Sequence, residues 1–126
     1  MAISTARKFF DEQIMLLQQK KTDELIDRHY EEDAVLVSVT KVVRGRSALK
    51  EHFRGYVSRL GNLEILSLDA FVETDDGILL EATVRTALGE ARVYDALVLR
   101  DGKITHHFTG LLSGPENASK TIPNKG

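Results

Sequence analysis

The second half of the chain is a continuous series of strand-like segments and tight turns. Three short pairs or triplets, Asp75-Asp76-Gly77, Gly89-Glu90 and Asp101-Gly102, separate four segments that are apolar or alternate in polarity. Such pairs are typical of hairpin turns. Within the first segment the alternation slips by one residue near Ile65, which indicates a β-bulge that bends the sheet. The pattern predicts an antiparallel meander with strands over residues 63–73, 78–88, 91–100 and 104–112.

The first half of the chain is mainly helical. Phe10, Ile14 and Leu17 repeat at helical spacing and form one apolar stripe. Gly61 follows the last periodic residue of a later segment, as a glycine at a helix C-terminus does. The predicted elements are a helix from Ser4 to Lys20, a helix capped by Thr22, a strand over residues 34–39, a short strand at 42–43 and a helix from Ser47 to Leu60.

The composition is that of one globular domain. The chain has 126 residues, of which 42% are hydrophobic, enough for a single core. The residues after Ser113 are polar and include two prolines. We therefore expect one domain over residues 1–113 and a disordered tail over residues 114–126.

Charge and residue usage exclude several classes of function. The formal net charge is -2 and the basic residues are scattered, which argues against nucleic-acid binding. Cysteine is absent, so a disulfide frame or a thiolate metal site is not expected. The N-terminus lacks the apolar segment of a signal peptide, and no segment approaches the ~20 apolar residues of a membrane span. We expect a cytoplasmic protein that does not enter membranes.

Helices followed by a run of strands predict an α+β fold, and three segments carry a resemblance to a known family. Tyr30–Leu36 resembles the helix-to-strand junction of SnoaL-like and ketosteroid-isomerase-like domains in the nuclear transport factor 2-like superfamily. Val43–Leu49, followed by Phe53, resembles the entry to their third helix, and Leu97–Ile104 resembles their last hairpin. The resemblance implies a cone-shaped α+β barrel, in which a helical hairpin and a third helix pack on a strongly curved antiparallel sheet around a pocket.

The resemblance implies a fold without fixing a reaction, because this fold hosts isomerases, cyclases, dehydratases, hydrolases and non-catalytic binding domains. The catalytic base of ketosteroid isomerase falls on Ser38, its tyrosine on Ile14 and its acid on Ala96. None of these side chains can do the original work at neutral pH. Ketosteroid isomerase chemistry is therefore not expected.

The turn at Asp101-Gly102 predicts how the last two strands pair. With two residues in the turn, Leu97 lies opposite His106 and Ala96 lies opposite His107. Hydrophobicity alone would make the other face the core, whereas the resemblance places Ala96 and His107 inside the cone. If the resemblance is right, an apolar row lies on the outer face. Such a row is too apolar to remain in contact with water, so it predicts a homodimer that packs through this face. That row consists of Val93, Leu97, Leu99, Ile104 and Phe108.

His107 is the candidate catalytic residue, because an imidazole titrates near neutrality and can serve as a general acid or base. Its replacement by alanine is expected to abolish turnover and to leave the fold nearly as stable. Neighbouring histidines on a regular strand point to opposite faces, so His106 and His107 do not predict a metal site. Asp95, Arg85 and Glu81 are interpreted as cross-strand ion pairs rather than as a buried acid with its partner.

Two functions follow from this arrangement. The first is a non-catalytic domain that binds a small, mostly apolar molecule with one carbonyl or hydroxyl group. The alternative is a cofactor-free isomerase, cyclase or dehydratase that uses His107 as its general acid-base. In both cases no metal and no cofactor is expected. The pocket predicted around His107 is lined or roofed by Phe10, Ile14, Tyr30, Ser38, His52, Tyr56, Tyr94, Thr105 and Thr109.

Overall fold

The computed structural model describes residues 3–114 and confirms the predicted α+β fold. Across these residues three helices pack on one curved sheet of six strands. None of the helices is long and apolar enough to cross a bilayer. The elements are α1 (Thr5–Gln18), α2 (Thr22–His29), β1 (Tyr30–Val37), β2 (Val42–Arg44), α3 (Arg46–Leu60), β3 (Glu64–Glu73), β4 (Gly77–Thr86), β5 (Gly89–Arg100) and β6 (Lys103–Ser113).

Most element boundaries agree with the prediction to within a few residues, with two corrections in the first half. β1 begins at Tyr30, four residues before the predicted start, because it leaves α2 without a loop. Thr22 is the first residue of α2 rather than its cap, and the cap residue Lys21 makes no side-chain capping bond. The predicted tail lies outside the described residues, apart from Gly114.

The strands are ordered β2-β1-β6-β5-β4-β3 in the sheet. The strands β3 to β6 form the predicted antiparallel meander through the three predicted turns. The sheet is mostly antiparallel, and β1 pairs in parallel with β6. A parallel pair needs a long crossover, and here β2, α3 and the strands β3 to β5 supply it.

A bulge in β6 shifts the register that the turn predicted. Leu99 lies opposite Ile104 as expected, but the next pair is Val98 with His106, so that Thr105 is an extra residue. Two residues of β6 thus oppose one of β5, as in a β-bulge. Beyond the bulge Leu97 lies opposite His107, where His106 was predicted.

The bulge explains why hydrophobicity and the resemblance disagreed about the inner face. Because it adds one residue, Ile104 and His107 both point inward although they are three positions apart. On the inner side Leu97 and Ile104 are buried in the core, and Val93 and Leu99 pack against it. The apolar row assigned to the outer face was therefore wrong, except for Phe108, which is exposed.

The segment around Gly45, between β2 and α3, forms hydrogen bonds to β1 and positions that strand. Gly45 has φ 90°, a conformation that favours glycine, and its N–H donates to the Ala34 carbonyl at 2.8 Å. The Arg46 guanidinium donates two hydrogen bonds, of 3.0 and 2.8 Å, to the Tyr30 carbonyl. This part of the motif that resembles the SnoaL-like domains thus positions Tyr30, whose side chain reaches the site described next.

Candidate functional site

A small cavity lies between the inner face of the sheet and the helices α1 and α3. Its volume is about 90 Å³, which limits it to a small molecule. Most of its wall is hydrocarbon, which suits a small apolar molecule. The hydrocarbon side chains are those of Phe10, Ile14, Leu17, Leu36, Phe53, Leu80 and Leu97, and the polar ones are those of Gln13, His52, Tyr56, Asp95, His107 and Thr109.

His107 is held at the cavity by two hydrogen bonds. Its Nε2 lies 2.7 Å from Asp95 Oδ1 on β5, and its Nδ1 lies 2.8 Å from the Tyr30 hydroxyl on β1. The imidazole is buried, whereas the Asp95 side chain is 27% exposed and reaches the cavity wall. Because both ring nitrogens have partners, the carboxylate of Asp95 is the group of this pair that can meet a ligand.

The hydrogen bonds continue from Tyr30 into the helices. Gln13 on α1 donates from Nε2 to the Tyr30 hydroxyl at 3.0 Å, and its Oε1 lies 2.7 Å from His29 Nδ1. His29 Nε2 lies 2.7 Å from Glu12 Oε1 near the surface. Gln13, His29 and Tyr30 are all buried, and burial raises the pKa of the Tyr30 hydroxyl well above its ordinary range.

Tyr56 and His52 form the α3 side of the cavity. Burial raises the pKa of Tyr56 to about 12, so its hydroxyl is protonated at neutral pH and can donate a hydrogen bond. Tyr56 lines the cavity, where a ligand oxygen can accept from its hydroxyl. Burial also lowers the pKa of His52 to about 4, which leaves a neutral ring stacked near Tyr56 at 6.2 Å.

The structure brings most of the predicted pocket residues together. Tyr30 lies immediately behind the cavity and contacts it through His107. Its burial is complete, so it supports the site instead of lining it. The predicted residues that line the wall are Phe10, Ile14, His52, Tyr56, His107 and Thr109.

Three predicted pocket residues lie elsewhere. Ser38 is at the β1–β2 turn, where its hydroxyl contacts Thr40 at 3.0 Å. Thr105 is the bulge residue and its hydroxyl donates to the Val98 carbonyl. Tyr94 lies on the outer face over Gly110, where an added Cβ would come within 2.4 Å of its ring. The one-residue shift in β6 accounts for Tyr94 and Thr105, since the predicted pairing had put them inside.

Asp95 and Gln13 are site residues that the sequence did not indicate. Asp95 had been interpreted as part of a cross-strand ion pair, and the predicted register placed Ala96 beside His107. In the structure Asp95, not Ala96, shares the inner face with His107. A signal was present in the sequence, because hydrophobicity favoured the face with Leu97 and Leu99 as the inner one, and Asp95 lies on that face. Gln13 gave no signal beyond its place in the buried stripe of α1.

A wider depression lies on the surface beside Arg46 and Lys103, among Glu31, Glu32 and Asp33. It is shallow and open to solvent, so it lacks the walls of a ligand site. Within residues 3–114 no cluster of three or more histidine and carboxylate side chains has an arrangement that could hold a metal ion.

Comparisons with known proteins agree with this architecture. Solved structures with the same fold include an NTF2-like protein from Anabaena variabilis, with a TM-score of 0.75, 20% identity and coverage of 90% of this chain and 96% of that chain. TerC co-crystallised with polyporic acid has a TM-score of 0.72 and 14% identity, over 94% of this chain and 98% of that chain. A de novo designed protein with a curved β-sheet has a TM-score of 0.75 and 15% identity, over 97% of this chain and 96% of that chain.

Among curated proteins, none matches the chain in sequence. The family model of the SnoaL-like domain matches residues 6–107, which include α2, α3, all of α1 after its first residue and every residue of the Tyr30, Asp95 and His107 contacts. This chain therefore belongs to the SnoaL-like domain family, within the nuclear transport factor 2-like fold.

Proposed function

We propose that the cavity binds a small, mostly apolar molecule with one carbonyl or hydroxyl group, and that Asp95 transfers a proton to or from it. The observation that carries the proposal is the Asp95–His107 pair, which ends a buried series of hydrogen bonds at the wall of an apolar cavity. A carboxylate that meets its ligand away from bulk water, and that is oriented by a second group, suits general acid-base catalysis.

The proposed step needs only side chains of this chain. The carboxylate of Asp95 removes a proton from the carbon next to a ligand carbonyl. The C–H electron pair forms a C=C bond and the carbonyl π electrons move to oxygen, giving an enolate. The Tyr56 hydroxyl donates a hydrogen bond to that oxygen, and Asp95 then returns the proton to carbon or to the oxygen. Donors aimed at a developing oxyanion commonly supply a large part of catalysis.

His107 acts in this proposal as a positioning residue rather than as the direct acid-base group expected from the sequence. Its Nε2 is 2.7 Å from Asp95 Oδ1, so one carboxylate oxygen is held and the other is left to meet the ligand. Its Nδ1 contact with Tyr30 keeps the ring from turning. A second buried partner of this kind holds the orientation of an imidazole.

Binding without catalysis is the second candidate. At about 90 Å³ the cavity is smaller than the ~300–1,000 Å³ of ordinary ligand pockets, so a larger ligand would enter only in part. TerC, which shares the fold, was co-crystallised with polyporic acid, which supports the use of this fold to hold an organic molecule.

Replacing Tyr56 with phenylalanine is expected to weaken the binding of cyclopentanone, a small ring ketone, by about two- to tenfold. One hydrogen bond to the carbonyl is lost while the aromatic ring remains, and a net hydrogen bond contributes roughly 0.5–1.5 kcal/mol. NMR titration of the ketone into labelled protein measures the affinity. Tyr94→Phe, which removes a hydroxyl on the outer face, is the matched control and should leave it unchanged. Equal affinity of Tyr56→Phe and the natural chain would contradict the assigned hydroxyl.

The outer face of the sheet supports a second proposal, that two copies of the chain pair through it. An apolar row crosses four strands there, since Val72 lies opposite Leu79, Leu79 opposite Ala96, and Ala96 opposite Phe108. Leu79 is 47% exposed and Phe108 39% exposed in the single chain. A contiguous apolar surface of this kind is typical of a subunit interface.

Phe108→Lys is expected to convert the dimer to a monomer, because it places a charge within the apolar row. Light scattering at micromolar concentration should report twice 14.1 kDa for the natural chain and 14.1 kDa for the variant. Val39→Lys is the control, since Val39 is 55% exposed and lies at the β1–β2 turn outside the row. A natural chain that is monomeric under these conditions would contradict the proposed pairing.

A further inference from the structure

Six side chains form one unbroken series of hydrogen bonds from the surface to the cavity. Two histidines lie within it, each between a carboxylate and a neutral partner. The two neutral partners, an amide and a phenol, contact each other at 3.0 Å. In order from the surface the series is Glu12, His29, Gln13, Tyr30, His107 and Asp95.

The orientation of the Gln13 amide decides where hydrogen atoms lie in this series. In the structure Gln13 donates from Nε2 to Tyr30 and accepts at Oε1 from His29. The Tyr30 hydrogen then goes to His107 Nδ1, and His107 donates its single N–H to Asp95. His29 uses Nδ1 as a donor, so a hydrogen bond from its Nε2 to the Glu12 carboxylate requires a second N–H. In this orientation His29 is the charged imidazolium.

The reversed amide reverses the three central bonds, between His29 and Gln13, Gln13 and Tyr30, and Tyr30 and His107. Gln13 then donates to His29 Nδ1, and a neutral His29 donates from Nε2 to Glu12. Gln13 Oε1 accepts the Tyr30 hydrogen, and the Tyr30 oxygen accepts from His107 Nδ1. The bond between His107 Nε2 and Asp95 now needs one more proton, on either the ring or the carboxylate. The same single proton has moved from the surface end to the cavity end.

Any other number of protons leaves a bond unmade. With one proton fewer, both histidines accept at Nδ1, and Gln13 Oε1 faces the Tyr30 oxygen with no hydrogen between them. With one proton more, both histidines donate from Nδ1, and the Tyr30 hydrogen has no acceptor within the series. Because Gln13, Tyr30 and both rings are buried, an unmade bond there is unfavourable.

We propose that the Gln13 amide couples His29 to His107, so that the series holds one proton that resides at His29 in one amide orientation and at the His107–Asp95 pair in the other. Glu12, His29 and Gln13 thereby become positioning residues for the cavity, since they set the hydrogen that His107 offers to Asp95. The inference concerns the protein without ligand and does not depend on the proposed reaction.

The surroundings of the two histidines allow the proton to occupy either end. Burial lowers the pKa of His29, which opposes the charge that the first orientation places there, and its contact with Glu12 opposes that effect. The ring also stacks on Phe9 at 4.0 Å. The titratable or charged groups that face His29 are Glu12 on α1, Arg28 on α2 and Lys103 on β6, and those that face His107 are Asp95 on β5, Tyr30 on β1 and His52 on α3.

Glu12→Met tests the coupling in the full chain. It removes the carboxylate that holds a proton at His29, and the side chain is 36% exposed, so the fold should tolerate it. Without the carboxylate, His29 no longer needs a hydrogen on Nε2, so a neutral His29 with its hydrogen on Nδ1 completes the series in the observed amide orientation. The ratio of His107 rings with a hydrogen on Nδ1 to those without should therefore fall about tenfold, as expected for one lost charge-assisted bond. Nitrogen-15 NMR of the labelled histidines at a fixed pH distinguishes the two forms through the Nδ1 chemical shift.

Two comparisons separate coupling through the amide from long-range electrostatics. Glu24→Met removes the other carboxylate that pairs with Arg28 but does not touch His29, and it should leave His107 unchanged. In a Gln13→Leu background, Glu12→Met should also have no effect on His107. An unchanged His107 in Glu12→Met, an equal change in Glu24→Met, or a change that persists without Gln13 would each overturn the proposal. The first two outcomes decide it even if Gln13→Leu does not fold.

Discussion

His107→Ala is expected to lower the free energy of unfolding by about 3–4 kcal/mol, because a buried and a partly buried partner each lose a hydrogen bond and the ring leaves a cavity. The fully buried Tyr30 keeps its bond from Gln13 but its hydroxyl hydrogen loses its acceptor, and the partly buried Asp95 loses its protein partner. A loss of this size is a large part of the ~5–15 kcal/mol that stabilises a typical domain. Urea denaturation followed by circular dichroism measures it.

His106→Ala is the matched control, one residue away on the opposite face. His106 is exposed, and its Nδ1 lies 3.1 Å from the hydroxyl of its neighbour Thr105. Its loss should change the stability by no more than about 0.5 kcal/mol, as for most surface substitutions. The sequence had led us to expect that His107→Ala would be nearly neutral for stability, and equal effects of the two variants would restore that expectation.

The fold was predictable because its signals are local. Turn residues such as Asp101-Gly102 and the slip in alternation near Ile65 determine where strands end and bend, and both features are present as expected. The parallel pairing of β1 with β6 was not predictable in this way. It joins segments about seventy residues apart, and no pattern in either segment distinguishes a parallel neighbour from an antiparallel one.

The site was predictable only in part, because one bulge changes which residues share a face. The family resemblance placed His107 inside the cone, and the structure has it buried at the cavity wall, but a regular ladder from the turn put Ala96 beside it. The extra residue Thr105 brings Asp95 there instead. A bulge without glycine has no sequence signature of its own, so the acid was mistaken for part of a surface ion pair. Gln13 was missed because a single amide in an apolar stripe gives no periodic signal.

Asp95→Asn is expected to reduce proton transfer on a bound ketone by about 10²–10⁴-fold, the usual contribution of a general base. The amide has nearly the same shape and its oxygen can still accept from His107, so the fold and the affinity for cyclopentanone should be retained. The rate of proton transfer is measured as the rate at which the hydrogens on the carbon next to the carbonyl exchange for deuterium. Glu81→Gln is the matched control, since it removes a carboxylate that pairs with Arg92 on the outer face.

Deuterium exchange into cyclopentanone, followed by proton NMR in heavy water, therefore tests the central claim most directly. We predict that the natural chain accelerates exchange above the buffer rate and that the rate saturates as the ketone fills the cavity. Glu81→Gln should match it, and Asp95→Asn should fall to the buffer rate while still binding the ketone. Exchange by Asp95→Asn at the rate of the natural chain, or binding with no acceleration by either, would contradict Asp95 as the base.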